Sequence, residues 1–183
     1  MKFYHPQLHN RRSIRLKGYD YAQKGFYFLT FNTKNRVRIF GEISSKQMIL
    51  NSFGVIAHDQ WLNTSKIRRN VRVHAFIIMP DHIHGILEIT ENLNPPELKK
   101  EVGKFRSPAN SVGAVIRGFK IATIKRIKEE IQRPGAHLPK RPTEIIQNLN
   151  YKIWQRNYYE NIIRDHPSYI NITNYIINNP KKA

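Results

Sequence analysis

The sequence predicts an α+β fold in which helices pack against one antiparallel sheet. Two apolar segments, VRVHAFIIM and HIHGILEIT, are separated only by Pro80 and Asp81, which predicts an antiparallel hairpin. A third segment of this kind, FYFLTFN, precedes them, and residues 111–131 repeat apolar side chains at helical intervals. The full predicted order is β-α-β-β-α-β-α. This order is that of the ferredoxin-like, or RRM-like, split βαβ pattern, with helices on one face of the sheet and a further, C-terminal helix.

The segments that flank the hairpin are assigned from periodicity and capping residues. Residues 44–63, SSKQMILNSFGVIAHDQWLN, space their apolar side chains at helical intervals, which predicts a helix with Ser44 or Ser45 as its N-cap. Residues 91–110 and 133–142 are rich in prolines and are predicted to be loops. The apolar stripe of the long helix between these loops consists of Val112, Val115, Ile116, Phe119, Ile124, Ile127 and Ile131.

Two further elements are predicted near the C-terminal end of the sequence. Residues 151–163, YKIWQRNYYENII, mix aromatic and apolar side chains in the manner of a strand. Residues 165–180, DHPSYINITNYIINNP, open with an aspartate N-cap and an early proline and stop before Pro180. This pattern predicts a final helix of about three turns.

Charge is the strongest signal in the composition. The 183 residues include 31 Lys and Arg against 13 Asp and Glu, a formal net charge of +18. Such an excess favours a polyanionic partner, and nucleic acid fits better than a membrane because no predicted helix has an apolar face to spare for lipid. The length fits one domain, predicted as residues 25–183 behind a basic N-terminal arm, residues 1–24. Without cysteines, a secretory signal or an apolar span, a cytoplasmic location associated with the nucleoid is expected.

The apolar hairpin carries two histidines, His82 and His84, with one residue between them. Side chains alternate along a strand, so both imidazoles point to one face and can converge on one divalent cation. The spacing alone does not select among Mg²⁺, Mn²⁺ and Zn²⁺. The alternative is a half-exposed strand that carries two histidines without a ligand. Together with Glu88 the pair matches the core of a cupin metal motif, but the flanking glycines are missing and the long helix does not belong in an all-β barrel.

The final helix places Tyr175 away from its apolar stripe, on the same side as Asn179. A tyrosine hydroxyl can attack phosphorus when a divalent cation polarises the phosphate. The histidine pair and Tyr175 therefore make a chemically coherent site together. The alternative is an exposed surface tyrosine without a catalytic role.

Several segments resemble the REP-associated tyrosine transposases, which belong to the single-tyrosine HUH transposases. MPDHIHGI resembles the HUH motif of histidine, bulky hydrophobic residue and histidine. WQRNYYENIIRD followed by YIINNP is similar to the C-terminal signature of the family, and IRLKGYDYAQKGFYFLTFNTKNR resembles its opening strand region. These blocks run from about Ile14 to Pro180 in the order and spacing of the family.

The resemblance implies a single-stranded DNA endonuclease and strand transferase that uses Mg²⁺ or Mn²⁺ and acts at hairpin-forming, REP-like repeats. It implies a 5′-phosphotyrosine intermediate on Tyr175, with His82 and His84 as metal ligands. Asn179 falls where related insertion-sequence enzymes carry a glutamine as third ligand. Tyr158 and Tyr159 are rival nucleophiles on sequence alone, and the family pattern makes them structural or DNA-facing. Both a monomer and a homodimer are compatible with the family.

The resemblance also makes part of the basic excess a candidate DNA track. The predicted DNA contacts are Arg11, Arg12, Arg15, Arg117, Lys120, Lys125 and Arg126. The main alternative function is a protein that binds structured single-stranded nucleic acid without cutting it. More distant alternatives are a metal-dependent RNA nuclease, a relative of replication initiators and a metal-dependent oxygenase.

Overall fold

The structure, a computed structural model, describes residues 19–93 and 110–182. The predicted DNA contacts Arg11, Arg12 and Arg15 lie outside the described residues, as does most of the predicted loop 91–110. The part of the predicted basic arm that is described, residues 19–24, packs on the domain, where Ala22 is fully buried. Within the two described ranges, no helix has the length and apolar character needed to cross a membrane.

The described elements follow one another as six strands and four helices with short 3-10 turns. In chain order they are β1 Gly25–Asn32, β2 Gly41–Ser44, β3 Gln47–Leu50, α1 Ser52–Ile67, β4 Val71–Ile78, β5 His82–Ile89, α2 Val112–Gln132, α3 Lys140–Asn148, β6 Tyr159–Ile163 and α4 His166–Ile177. Four strands form one antiparallel sheet in the order β4-β5-β1-β6. The predicted α+β, ferredoxin-like arrangement is confirmed.

The two faces of the sheet carry cores of very different size. On one face the side chains of Tyr27, Leu29 and Phe31 are fully buried in the main core, which includes α1 and α2. The rings of Phe31 and Trp61 lie 5.4 Å apart at its centre. The opposite face holds a small core around Ile86, which α4 covers. The C-terminal helix therefore lies alone on its face of the sheet among the described elements.

The predicted helix 44–63 is partly wrong. Its first residues form the β2–β3 hairpin, and the helix begins at Ser52. Ser45 and Lys46 adopt φ values of 49° and 61°, which suit the two-residue turn of a hairpin. The N-cap is Asn51, whose side chain accepts hydrogen bonds from the backbone N–H groups of Phe53 and Gly54. The prediction failed because the apolar residues before Asn51 happened to continue the helical spacing.

The C-terminal region also differs from its prediction in two places. The strand predicted at 151–163 is confined to β6, and Trp154 makes only an isolated bridge to Thr33. Helix α3 occupies part of the predicted loop 133–142, since Pro142 lies in its first turn, where a backbone N–H is not needed. The final helix is confirmed, with the Asp165 side chain accepting from the Ser168 backbone N–H at 2.7 Å.

A close approach between α1 and the chain before β2 leads to a stability prediction. A Cβ on Gly54 would overlap the carbonyl oxygen of Phe40 and come within 2.9 Å of the Leu50 side chain. We therefore expect Gly54→Ala to lower the free energy of unfolding by about 2–3 kcal/mol, measured by urea denaturation.

Gly118 supplies the matched control because it also lies inside a helix. A Cβ there meets only the flexible end of Arg68, at 3.4 Å. We expect Gly118→Ala to raise the free energy of unfolding by up to about 1 kcal/mol through its higher helix propensity. Equal effects of the two substitutions would contradict the close approach at Gly54.

Candidate active site

The two histidines lie on the face of the sheet that α4 covers. Between them the Ile83 side chain points to the main core and is fully buried, so His82 and His84 point the other way. Their ring centroids are 4.7 Å apart. In the neighbouring strand β1, Asn32 pairs with His82 and Thr30 with His84. The predicted common orientation of the two histidines is therefore confirmed by the strand pairing.

His82 is oriented by a carboxylate and an arginine. Its Nδ1 atom lies 2.6 Å from Oδ1 of Asp81, and Oδ2 of Asp81 lies 2.9 Å from Nε of Arg36. Arg36 also donates to the Asn32 side chain at 2.5 Å. The backbone of Asp81 is fixed as well, because its carbonyl oxygen accepts two hydrogen bonds from Thr33. Since a carboxylate only accepts, the hydrogen of this contact is on Nδ1, and Nε2 of His82 carries a lone pair in the neutral form of the imidazole.

His84 is buried, at 6% exposure, between a threonine and a tyrosine. Nδ1 lies 2.7 Å from Oγ1 of Thr30, and Nε2 lies 3.2 Å from the hydroxyl of Tyr175. In the tautomer that leaves Nε2 as acceptor, Nδ1 donates to Thr30 and the Tyr175 hydroxyl donates to Nε2. Burial is the main cause that lowers the pKa of His84 to about 3, and repulsion from a protonated His82 and from Arg36 contributes to the same shift. The imidazole is therefore neutral near pH 7, which is the form that binds metals.

Tyr175 is held over the same part of the sheet by the end of α4. Its ring packs edge to face against Phe28, with centroids 6.1 Å apart, and Phe28 stacks on His84 at 5.6 Å. The Lys182 ammonium lies 5.7 Å from the centroid of the Tyr175 ring. At 39% exposure the ring is open to solvent on its outer side. The structure thus brings the predicted nucleophile into contact with one predicted metal ligand.

Asn179 lies beyond the last residue of α4. The helix ends at Ile177, and Asn179 begins a 3-10 turn in which it is buried. Asn179 therefore does not lie one regular α-helical turn after Tyr175 on the same side of the helix, as the sequence suggested. Its assignment as a third metal ligand stays a prediction.

The donor atoms fit a divalent cation bound by two imidazoles. Both histidines use Nδ1 for contacts within the protein, and such contacts are a common means of orienting metal-binding imidazoles. A cation at Nε2 of His84 would take the place of the Tyr175 hydroxyl there. In residues 19–93 and 110–182, no group of three or more His, Cys, Asp or Glu side chains could hold a metal ion. A cation at this pair would therefore complete its coordination with water, an amide oxygen or oxygen atoms of a bound phosphate.

The described basic residues of the predicted DNA track lie on α2, which packs on the other face of the sheet. Arg117, Lys125 and Arg126 are exposed there, and Arg126 donates to Glu129 at 2.8 Å. The structure does not bring them to the histidine pair. Their role in DNA binding stays a prediction.

Lys120 has a contact that the sequence did not reveal. Its ammonium donates to the carbonyl oxygen of Gln155 at 2.8 Å and lies 5.9 Å from each of the ring centroids of Phe31, Trp154 and Tyr158. Burial lowers its pKa to about 8. These contacts tie α2 to the chain that leads into β6.

The two rival tyrosines are separated by the sheet. Tyr158 packs with the main core beside Lys120. Tyr159 begins β6, pairs with Thr30 and is 53% exposed, with its ring 6.4 Å from that of Phe28. Tyr159 is thus on the histidine face, whereas the hydroxyl that contacts His84 is that of Tyr175.

Sequence reasoning missed the residues that orient the histidines. Asp81 directly precedes His82, and an acidic residue next to a predicted ligand is a signal that could have been used. Thr30 and Arg36 left no such signal, because their contacts depend on the pairing of strands that are distant in sequence.

The low pKa of His84 leads to a prediction about stability. The unfolded chain has the ordinary value of 6.5 and so binds more protons than the folded chain between pH 6.5 and about 3. Stability therefore falls as the pH falls through this window, by about 1.4 kcal/mol per pH unit for one proton. Urea unfolding of the metal-free protein measures the free energy of unfolding between pH 6 and pH 4. It should fall with decreasing pH more steeply in the wild type than in His84→Gln. Parallel slopes for the two proteins would show that His84 is not held neutral.

Comparisons with known proteins locate this chain in a family and a fold. No family model matches it. An uncharacterized protein of Haemophilus influenzae is 37% identical over 182 residues, which cover 97% of this chain and 92% of that protein. A solved structure of a REP-associated tyrosine transposase bound to a REP hairpin has a TM-score of 0.56 with 16% identity, covering 92% of this chain and 74% of that one. The chain therefore belongs to the same family as the Haemophilus influenzae protein, and its fold is that of the REP-associated tyrosine transposase.

Proposed function

We propose that the protein is a metal-dependent endonuclease and strand transferase that acts on single-stranded DNA at hairpin-forming repeats. The observation that carries the proposal is the contact between the Tyr175 hydroxyl and Nε2 of His84 at 3.2 Å. The contact brings a tyrosine hydroxyl next to a pair of imidazoles, and imidazole nitrogen atoms suit a divalent cation. The shared fold supports the proposal, because the solved relative is a tyrosine transposase bound to a REP hairpin.

In the proposed reaction, the Tyr175 oxygen attacks the phosphorus atom of one phosphodiester. The bond from Tyr175 to phosphorus forms as the bond from phosphorus to the 3′ oxygen breaks, which leaves a 5′-phosphotyrosine and a free 3′-hydroxyl. Tyr175 gives up its hydroxyl proton and the departing 3′ oxygen gains one, so protons balance. Attack by another 3′-hydroxyl reverses the step and joins two strands.

The residues around Tyr175 prepare this attack. Nε2 of His82 and Nε2 of His84 would hold a Mg²⁺ or Mn²⁺ ion, which would supply positive charge at the scissile phosphate. Asp81 and Thr30 hold the two imidazoles in fixed orientations, which reduces the reorganisation needed when a phosphate arrives. Phe28 packs against both His84 and Tyr175 and supports the two rings from the sheet.

The formal net charge of +18 supports a DNA substrate. Basic side chains lie near the site as well as on α2, since Arg36 contacts Asp81 and Lys182 lies against Tyr175. When basic side chains bind DNA phosphates, the affinity for DNA falls as the salt concentration rises. A hairpin-forming single strand is the proposed substrate.

The first test is the covalent intermediate. We expect the wild-type protein to form a covalent adduct with a labelled single-stranded hairpin DNA in the presence of Mn²⁺ or Mg²⁺, and Tyr175→Phe to form none, because the attacking oxygen is gone. Denaturing gel electrophoresis detects the adduct. Tyr159→Phe, which changes the exposed tyrosine on the same face, should still form it.

An adduct on Tyr175→Phe would show that another residue is the nucleophile. A wild-type protein that binds the hairpin but forms no adduct with either metal would instead support the binding-protein alternative. An RNA hairpin of the same sequence, run in parallel, tests the choice of nucleic acid.

The second test concerns the cation. Removing one of two imidazole ligands should weaken Mn²⁺ binding by at least about tenfold, since each ligand holds the ion directly. Isothermal titration with His82→Gln, in the absence of DNA, measures this affinity. His137→Gln is the control, since His137 is exposed and lies between α2 and α3. Equal Mn²⁺ affinity in the two variants would show that His82 is not a ligand.

A further inference from the structure

Strand β4 contains an irregularity that the proposed reaction does not explain. Val73 pairs with Leu87 and Phe76 pairs with Gly85, so two residues of β4 lie opposite the single residue Ile86. This arrangement is a β-bulge, and bulges redirect side chains from one face of a sheet to the other. Phe76 points into the main core, and in a regular strand His74, two residues earlier, would point into the main core as well.

The bulge brings His74 to the face that α4 covers. Val73 and Phe76 both pack with the main core, although three positions separate them. Ala75 packs in the small core under α4, and His74 contacts residues on that same side. Because of the extra residue in β4, the imidazole of His74 lies on the face of the sheet that α4 covers.

His74 connects the sheet to α4 through two hydrogen bonds. Its Nε2 atom lies 2.9 Å from Oε2 of Glu88, and its Nδ1 atom lies 3.1 Å from the hydroxyl of Tyr169 on α4. The side chains of His74 and Glu88 are 27% and 15% exposed, so both contacts are largely shielded from water. Phe26 packs edge to face on both His74 and Tyr169, at 5.2 and 5.4 Å. Glu88, His74 and Tyr169 thus form a hydrogen-bonded group, the clamp.

The clamp and the candidate active site hold the two ends of α4. Tyr169 contacts His74 in the first half of the helix, and Tyr175 contacts His84 near its end. A shift of α4 by one residue would move these hydroxyls by about 1.5 Å along the axis and turn them by about 100°. Both hydrogen bonds are therefore made in only one placement of the helix.

The apolar packing under α4 is too small to define that placement by itself. Ile176 is the one buried residue of α4. The rest of the small core consists mainly of half-buried side chains. Hydrophobic contact is not directional, whereas hydrogen bonds have defined distances and angles.

We infer that Glu88, His74 and Tyr169 are positioning residues that fix α4 on the sheet and thereby hold the Tyr175 hydroxyl at His84. Their link to catalysis rests on the proposed function, in which Tyr175 is the nucleophile. Their effect on the placement of Tyr175 does not depend on any reaction.

Tyr169→Phe tests this inference because it removes the hydroxyl and keeps the ring on Phe26. Ring-¹⁵N NMR of the metal-free protein, with labelled histidines, reports whether the Tyr175 hydroxyl still contacts Nε2 of His84. Tyr175→Phe provides the reference for a lost contact. We expect Tyr169→Phe to move the His84 Nε2 resonance towards that reference. The amide hydrogens of α4 should also exchange about two- to tenfold faster, which corresponds to one lost hydrogen bond.

Tyr151→Phe is the matched control, because Tyr151 packs with the main core on the other face. It should leave both the His84 resonance and the exchange of α4 unchanged. If Tyr169→Phe also leaves both unchanged, the clamp does not position Tyr175 and the inference is overturned.

A second pair of variants tests the carboxylate end of the clamp. Glu88→Gln keeps an oxygen that accepts from His74, so the His84 resonance should stay close to that of the wild type. Glu88→Ala removes the acceptor and should move the resonance as Tyr169→Phe does. The reverse ranking of these two variants would overturn the inference.

Adduct formation then links the clamp to the reaction. At saturating hairpin DNA, Tyr169→Phe should form the adduct about two- to tenfold more slowly than the wild type, with unchanged DNA affinity. An unchanged rate would overturn the catalytic part of the inference. If the wild type forms no adduct, the proposed function fails, while the NMR comparison still decides whether the clamp places Tyr175.

Discussion

The pairing register of β5 is the constraint on which the rest of the candidate site depends. Because side chains alternate, a slip of one residue against β1 would turn His82 and His84 into the main core and expose Ile83. The same register places Thr30 beside His84. The orientation of the histidine pair is therefore a consequence of strand pairing before any contact with α4 is made.

The main core on the far side of the sheet holds this register. Ile83 and Leu87 are fully buried there, and Gly85 between them leaves room for the indole of Trp61, which a Cβ would meet at 3.1 Å. In another register Ile83 and Leu87 would be less completely buried. Because burial of apolar surface stabilises the fold by about 25 cal/mol per Å², that register would be less stable by several kcal/mol. The face that carries the histidine pair is thus specified by the apolar face behind it, while the loosely packed helix α4 depends on directional polar contacts.

Local patterns in the sequence were enough to predict much of the fold and part of the site. The alternation at His82 and His84 and the aspartate cap of α4 are properties of neighbouring residues, and both predictions are confirmed. The β2–β3 hairpin was missed because its turn depends on Ser45 and Lys46, two residues without a strong preference for positive φ. The bulge that brings His74 to α4 leaves no local signal at all, because it is defined by the pairing of β4 with β5. Contacts such as that of Arg36 with Asp81 are likewise fixed by tertiary structure.

The two nitrogen atoms of His84 impose a final condition on the site. Thr30 occupies Nδ1, so Nε2 supplies the lone pair both for the Tyr175 hydroxyl and for a cation bound by this imidazole. One lone pair cannot serve both partners, so the Tyr175 hydroxyl would have to leave His84 if this imidazole bound a cation. After that, Tyr175 would still be part of α4, and the first half of α4 would still be hydrogen-bonded to the sheet through Tyr169 and His74. The clamp at His74 therefore matters most when the contact at His84 is broken, because it then keeps Tyr175 close to the histidine pair.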